Sequence, residues 1–360
     1  MKKFYTLAFS FLISLSYAQI PAGYYNTATG TGYQLKTQLF NIINGHNDRG
    51  YSGLYTTYTT SDKDLYYENN GTILDMYTEN PTGPECEFTF GINQDDGTLG
   101  NNECERYNRE HLVPQSVFGS ATPMYSDAHF VVPSDKHINA VRGDFPFGNV
   151  GTPNFISTNG SEKGNNLNSG YSAGYTGVVF EPINEFKGDI ARCLLYYATR
   201  YQDVVAGHSY VMFNSSSDQV FAQPFLNILL TWNQLDPVSN REIARNNAIY
   251  ARQGNRNPFI DNNNYVTSIW GAPLLATTGF DISSTVTIYP NPTSHRSVTI
   301  SSEITLESIQ LFNINGQLVQ EIKSPVFENQ TYTLDNLTQG FYFLTLGANN
   351  QIVTKKLIVN

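Results

Sequence analysis

Residues 107–116 read "YNREHLVPQS", and the reading of the chain around them turns on what this stretch does. Successive side chains of a regular strand point to opposite faces, so Glu110 and His111 can approach one target together only at a strand end or a bulge. Pro114 has no amide hydrogen for a ladder and supplies such an end. Taken locally, the pair reads equally as a reactive site or as an ordinary polar spot before a proline turn.

One chemistry would use the pair. A phosphodiester resists hydrolysis because attacking water meets negative charge and the alkoxide leaves poorly, so a catalyst needs a base, a cation and a donor for the added charge. His111 suits the base near neutral pH. Glu110 offers a hard oxygen ligand for an ion such as Mg²⁺, and the amide oxygen of Asn139 a second. The pattern predicts a short helix opened by Ser134 after Pro133, with Asn139 and Arg142 three residues apart on one face. His111, His129 and His137 all fall in this region, whereas His46, His208 and His295 read as a loop or cap residue, an isolated ring and a solvated ring. The chain has no "HExxH" zinc helix, no paired-cysteine zinc spacing and no "GxSxG" elbow, which removes three competing hydrolytic chemistries.

Farther out, 360 residues are enough for two domains with separate cores. Residues 1–18 combine Lys2 and Lys3, an apolar run and a small-residue site ending at Ala18, the pattern of a cleaved secretory leader. No later run approaches the ~20 apolar residues of a membrane span. Residues 19–275 read as one α+β domain. Helical periodicity is expected in "YQLKTQLFNIING", in "FKGDIARCLLYYATRYQD" with Arg192 and Arg200 on its surface, in "FLNILLTWNQL", and in a segment opened by the Ser239/Glu242 capping box and closed at Gly254. Residues 276–283 read as a linker. Residues 284–360 change to short β-branched runs with an Asn315-Gly316 hairpin signal, predicting a small all-β sandwich.

The formal charge is −10, which argues against coating nucleic acid by bulk electrostatics. The balance is uneven: residues 60–110 hold twelve acidic against three basic side chains, and 187–256 seven basic against five acidic. A local positive face built from the later segment stays open. Export implies oxidation, so Cys86 and Cys104 are expected to form a disulfide and Cys193 to be a buried thiol. The acidic pair Asp95-Asp96 is a candidate for structural Ca²⁺, with a solvated turn as the expected reading.

The blocks "CERYNREHLVPQSVFG", "PMYSDAHFVVPSDKHINAVRGDFPFG", "FEPINEFKGDIARCLLYYATRY" and "LTWNQLDPVSNREIARNNAIYARQGNRNPFID" resemble, in the same order, the bacterial secreted endonuclease I family, a group of His-Me finger (ββα-metal) nucleases. The resemblance covers about residues 70–270. It implies a ββα-metal core with flanking helices and a Mg²⁺-dependent, sequence-nonspecific endonuclease acting on DNA, with RNA left open as a second substrate, and leaving 5′-phosphate ends. It implies that Glu110 and Asn139 hold the metal, that His111 is the general base, and that Arg142 contacts phosphate. Arg109 would contact phosphate or position the pair. Asp127 and His129 would shape the core under the site. Arg192, Arg245, Arg252 and Arg256 would line a phosphate track or serve as salt bridges and caps. Leu112-Val113 depart from relatives with an aromatic residue after the Glu-His pair.

The tail blocks "VTIYPNPTS", "IQLFNINGQLV", "GFYFLTL" and "KKLIV" resemble the C-terminal sorting domain of type IX secretion cargo. This implies passage across the outer membrane, with the export machinery as partner, followed by tail removal or attachment to the cell surface. The chain is otherwise expected to be a monomer with nucleic acid as its substrate. Two other readings compete: an adhesin or nucleic-acid-binding module without catalysis, and a phosphodiesterase for small substrates.

Overall fold

The computed structural model describes residues 20–271, 286–302, 304–314, 316–348 and 351–360. The leader expected at 1–18, the linker expected at 276–283 and Asn315 lie outside them. The chain divides into two compact units, Met1–Leu275 and Ala276–Asn360.

The first unit mixes helices and sheets. Helix α1 (Gly32–Ile43) buries Leu35, Leu39 and Ile43 along the expected stripe. Helix α2 (Gly53–Ser61) was not foreseen, because its Thr, Ser and Tyr residues carry little apolar periodicity, yet it buries Leu54, Tyr55 and Tyr58. An irregular segment follows, joined to itself by the Cys86–Cys104 disulfide. Strand β1 (Tyr107–His111) then pairs antiparallel with β2 (Val131–Asp135), Glu110 facing Val132, and helix α3 (Lys136–Arg142) leaves β2 without a loop. Strands β3 (Val150–Ile156), β4 (Glu162–Asn166) and β5 (Val178–Glu181) form an antiparallel sheet in that order. This sheet was also unforeseen, since Gly, Asn, Pro and Thr dilute its alternation.

Helix α4 (Lys187–Arg200) is buried on every side from Gly188 onward. Arg192 and Arg200, expected on its surface, are therefore interior residues, 0% and 6% exposed. Around α4 lie α1, α5 (Gln223–Leu235) and α7 (Pro258–Asp261). Helix α6 (Asn240–Gln253) has the reciprocal Ser239/Glu242 capping box and ends at Gly254, where a φ of 81° suits glycine. It packs on α2, while the short α8 (Asn264–Trp270) packs on α1. The thiol of Cys193 is free and buried, as expected. No helix among the described residues is long and apolar enough to cross a membrane.

The second unit is all-β. Strands β6 (Val286–Tyr289), β7 (Val298–Ser302), β8 (Ser308–Asn313), β9 (Leu318–Lys323), β10 (Thr331–Leu334), β11 (Gly340–Ala348) and β12 (Gln351–Val359) follow the β-branched runs. They make two antiparallel sheets, β10-β7-β6 and β12-β11-β8-β9. Val286, Ile300, Leu311, Leu344 and Leu357 join one core drawn from both sheets.

Candidate active site

Strand β1 meets helix α3 through two side-chain pairs. Asn108 and Glu110 lie two apart on the strand and so share a face, while Asn139 and Arg142 lie three apart on the helix and share another. The Asn139 amide nitrogen donates to Asn108 Oδ1 at 2.8 Å, and Arg142 Nη1 donates to Glu110 Oε1 at 2.9 Å. The helix is opened by Asp135, whose side chain accepts from the Ile138 amide at 2.9 Å. Ser134 was expected in that role, but it is the penultimate residue of β2 with its hydroxyl turned to the Asp135 carbonyl.

A cavity of about 330 Å³ opens at this junction, lined by Tyr51, Arg109, Glu110, His111, Asn139 and Arg142 among others. His111 is the last residue of β1, so the strand-end condition for two neighbours to share one target is met. Leu112 and Val113 beyond it are wholly buried.

Glu110 is 2% exposed. Its Oε1 takes both the Arg142 bond and a bond from the Tyr77 hydroxyl at 2.9 Å, and Oε2 accepts from no described residue. Burial pushes the Glu110 carboxyl up to about 7 against the pull of Arg142 and the Tyr77 hydrogen bond. A cation at Oε2 would reverse that penalty. Asn139, having spent its amide nitrogen on Asn108, is left with a free amide oxygen. Two hard oxygens on a buried rim suit a hard divalent ion better than a soft one.

The His111 ring stacks on Tyr125 and Tyr51 at centroid distances of 5.3 and 5.8 Å. Its Nε2 lies 3.2 Å from the Tyr125 carbonyl. A carbonyl only accepts, so the proton sits on Nε2 and the lone pair on Nδ1. Burial pulls this histidine down to about 4, and the ring is neutral at neutral pH with a vacant acceptor on the cavity wall.

Arg142 is 1% exposed and spends its guanidinium on Glu110, the His111 and Leu112 carbonyls and the Tyr210 hydroxyl. Its expected phosphate contact is thus corrected to that of a clamp on the β1 end. Arg109, half-buried, lies across the faces of Tyr51 and Tyr55 at 3.6 and 4.3 Å and donates to the Tyr51 carbonyl. It reaches the same cavity.

The later arginines separate into two groups. Arg192 grips Glu242 through two bonds of 2.5 and 2.7 Å, Arg245 pairs with Asp62 at 2.7 Å, and Arg256 pairs with Asp261 at 2.6 Å. All three are at most 5% exposed. They cannot line a phosphate track, because each charge is enclosed and neutralised inside the helical core. Arg252 is half-buried and donates to the Thr57 hydroxyl.

Asp127 and His129 are buried where α4 and α6 meet the loop before β2. Asp127 accepts from Tyr196, Tyr201 and Gln253, and His129 Nε2 bonds the Asn255 carbonyl. Asp95 and Asp96 are bonded to Lys136 and Arg106, so the candidate Ca²⁺ position there is occupied by the protein's own cations.

Sequence reading missed Asn108, Tyr51, Tyr77 and Tyr125. Strand alternation from Glu110 would have found Asn108. Tyr77 lies 33 residues upstream of its partner and carries no local signal.

A carboxylate and a histidine thus line one cavity, each with an acceptor atom left free. The chain belongs to the Endonuclease I family, whose model matches residues 31–264. Residues 287–360 match the secretion system C-terminal sorting domain. Two relatives, each described as an extracellular ribonuclease, come from Bacillus amyloliquefaciens and Bacillus subtilis (strain 168). Each is 34% identical over 254 residues, covering 69% of this chain and 78% of the relative. A shorter match, 36% over 78 residues, covers 21% of this chain and 15% of an ulvan lyase, NLR42, from Nonlabens ulvanivorans. The protein is a nuclease, a hydrolase of nucleic acid, and it is secreted by the type IX route.

Proposed function

We propose that the protein is a His-Me finger endonuclease that cuts DNA and RNA without sequence preference, with β1, β2 and α3 as its ββα unit. The observation that carries this reading is the meeting of Glu110, His111 and Asn139 on one cavity wall, each with an acceptor atom left over. Glu110 and Asn139 would hold one Mg²⁺ or a similar hard cation. That ion, when bound, would supply Lewis-acid stabilisation of the charge added to the phosphate.

The chain's own residues do the rest. The Tyr125 carbonyl holds the His111 ring and fixes its tautomer, so that Nδ1 accepts a proton as water attacks phosphorus. The P–O3′ bond breaks and the departing O3′ takes a proton from solvent, leaving a 5′-phosphate and a 3′-hydroxyl. Arg142 and Tyr77 keep Glu110 oriented. Arg109, held flat on two tyrosine rings, faces the incoming phosphate. RNA enters as a substrate because the two bacterial relatives bear the name ribonuclease.

Plasmid DNA and a structured RNA, each incubated with the protein and Mg²⁺, should both be cut, and EDTA should stop the reaction. His111→Ala should slow it by about 10²–10⁴-fold. Intact plasmid and RNA in the presence of metal, or an unchanged rate in His111→Ala, would favour a binding module without catalysis.

A further inference from the structure

We propose that Asp64, Glu68, Glu79 and Glu85 form a second cation site, separate from the cavity, that takes Ca²⁺ and ties down the segment carrying Tyr77. One carboxylate oxygen from each of Asp64, Glu68 and Glu85 lies within 4.8 Å of the others. Calcium bonds its oxygens at about 2.3–2.6 Å, so ligands on opposite sides of one ion stand about 5 Å apart and this spacing encloses it. Magnesium demands near-ideal octahedral geometry, whereas calcium accepts an irregular set of carboxylates such as this one.

The independent observation is Glu79. It is 1% exposed, and both its carboxylate oxygens are buried without a hydrogen-bond donor, as is Oε1 of Glu85. Burial raises the Glu79 carboxyl far above the usual range, the Glu85 carboxyl lying against it within hydrogen-bond reach raises it further, and the negative charges of Glu85, Glu68 and Asp64 add to this. Burying an unpaired carboxylate among like charges is costly unless a cation compensates. Asp64 is already shaped as a loop anchor, since it accepts from the Tyr66, Tyr67 and Asn70 amides. Glu85 adjoins disulfide-bonded Cys86. Between these anchors runs the turn that presents the Tyr77 hydroxyl to Glu110. None of the four carboxylates lines the cavity.

The test titrates CaCl₂ into the full-length protein by calorimetry and follows thermal unfolding with and without calcium. Asn139→Ala removes a ligand of the cavity and should leave this calcium event in place. Glu79→Gln should weaken it at least about tenfold, a loss typical of a removed charged ligand. In EDTA, Glu79→Gln should unfold at a higher temperature than the wild type, because a repelling charge is gone; in saturating calcium the order should reverse. Should Glu79→Gln fail to fold, Glu85→Gln at the rim carries the same tenfold criterion. No calcium event in Asn139→Ala, unchanged affinity in the carboxylate variants, or a Glu79→Gln advantage at every calcium concentration would overturn the proposal, the last showing that the carboxylates merely share protons.

Discussion

Asn108→Ala tests whether the Asn139 amide is held in place for a metal. Asn139 donates to Asn108 Oδ1 at 2.8 Å, and no other side-chain bond fixes that amide. Removing the acceptor lets the amide rotate, so its oxygen is presented for only part of the time. Loss of such an orienting partner costs about 10–100-fold in metal affinity, equivalent to about 1.4–2.8 kcal/mol. The fold should survive. Helix α3 keeps its Asp135 cap, fully buried Ile138 and the Arg142 clamp, and one lost hydrogen bond costs about 1 kcal/mol. Initial rates of plasmid nicking across a Mg²⁺ titration provide the assay. The apparent metal constant should rise about 10–100-fold while the rate at saturating metal stays within about threefold. Asn108→Asp keeps the acceptor and should restore the constant. An unchanged constant in Asn108→Ala, or an Asn108→Asp variant as weak as the alanine, would refute the orienting role.

Breaking the enclosed pair Arg245–Asp62 with Arg245→Met should cost about 3–5 kcal/mol in urea unfolding, since Asp62 is left buried and unpaired; the salt dependence of nucleic-acid binding by the remaining folded protein should not change. Arg109→Ala should act the other way, lowering affinity and reducing the salt slope by about 1 with little loss of stability. Although burial alone would raise Asp127, nearby His46 and His129 and the Gln253 hydrogen bond hold its carboxyl well below the usual range. A depressed folded value means that its stabilisation is complete above the unfolded pKa of about 3.9 and drains away as pH falls below it. The stability gap between wild type and Asp127→Asn should therefore be constant from neutral pH down to about 5 and shrink in more acidic buffer; a gap that persists unchanged at the acid end would contradict the assignment.

The parts of the molecule that were legible in its sequence share a physical property: their signal is local. The capping box of α6, the apolar stripe of α1 and the β-branched runs of the second unit each depend on residues within one turn or one strand. Helix α2 and the β3-β4-β5 sheet were illegible because their own composition is polar and dilutes the periodicity, and α2 packs on α6, far along the chain. The arginines show the same divide at the level of function. Charge counting over residues 187–256 left a positive face open, and the family resemblance offered these arginines as a phosphate track or as salt bridges and caps; the second holds, since Arg245 answers to Asp62, 183 residues upstream, and Arg192 to Glu242, 50 residues downstream. A cation's availability is decided by its buried partner, and sequence separation hides that partner. The Glu110–His111 pair lies between these cases. Its strand end could be read from Pro114, and Asn108 from alternation along the same strand. The tyrosines that finish the site could not: Tyr77 holds the carboxylate from a segment 33 residues away, and Tyr125, by its backbone carbonyl rather than its side chain, chooses which nitrogen of His111 carries the proton. That choice is made by an atom every residue possesses, so no reading of side-chain types would have located it.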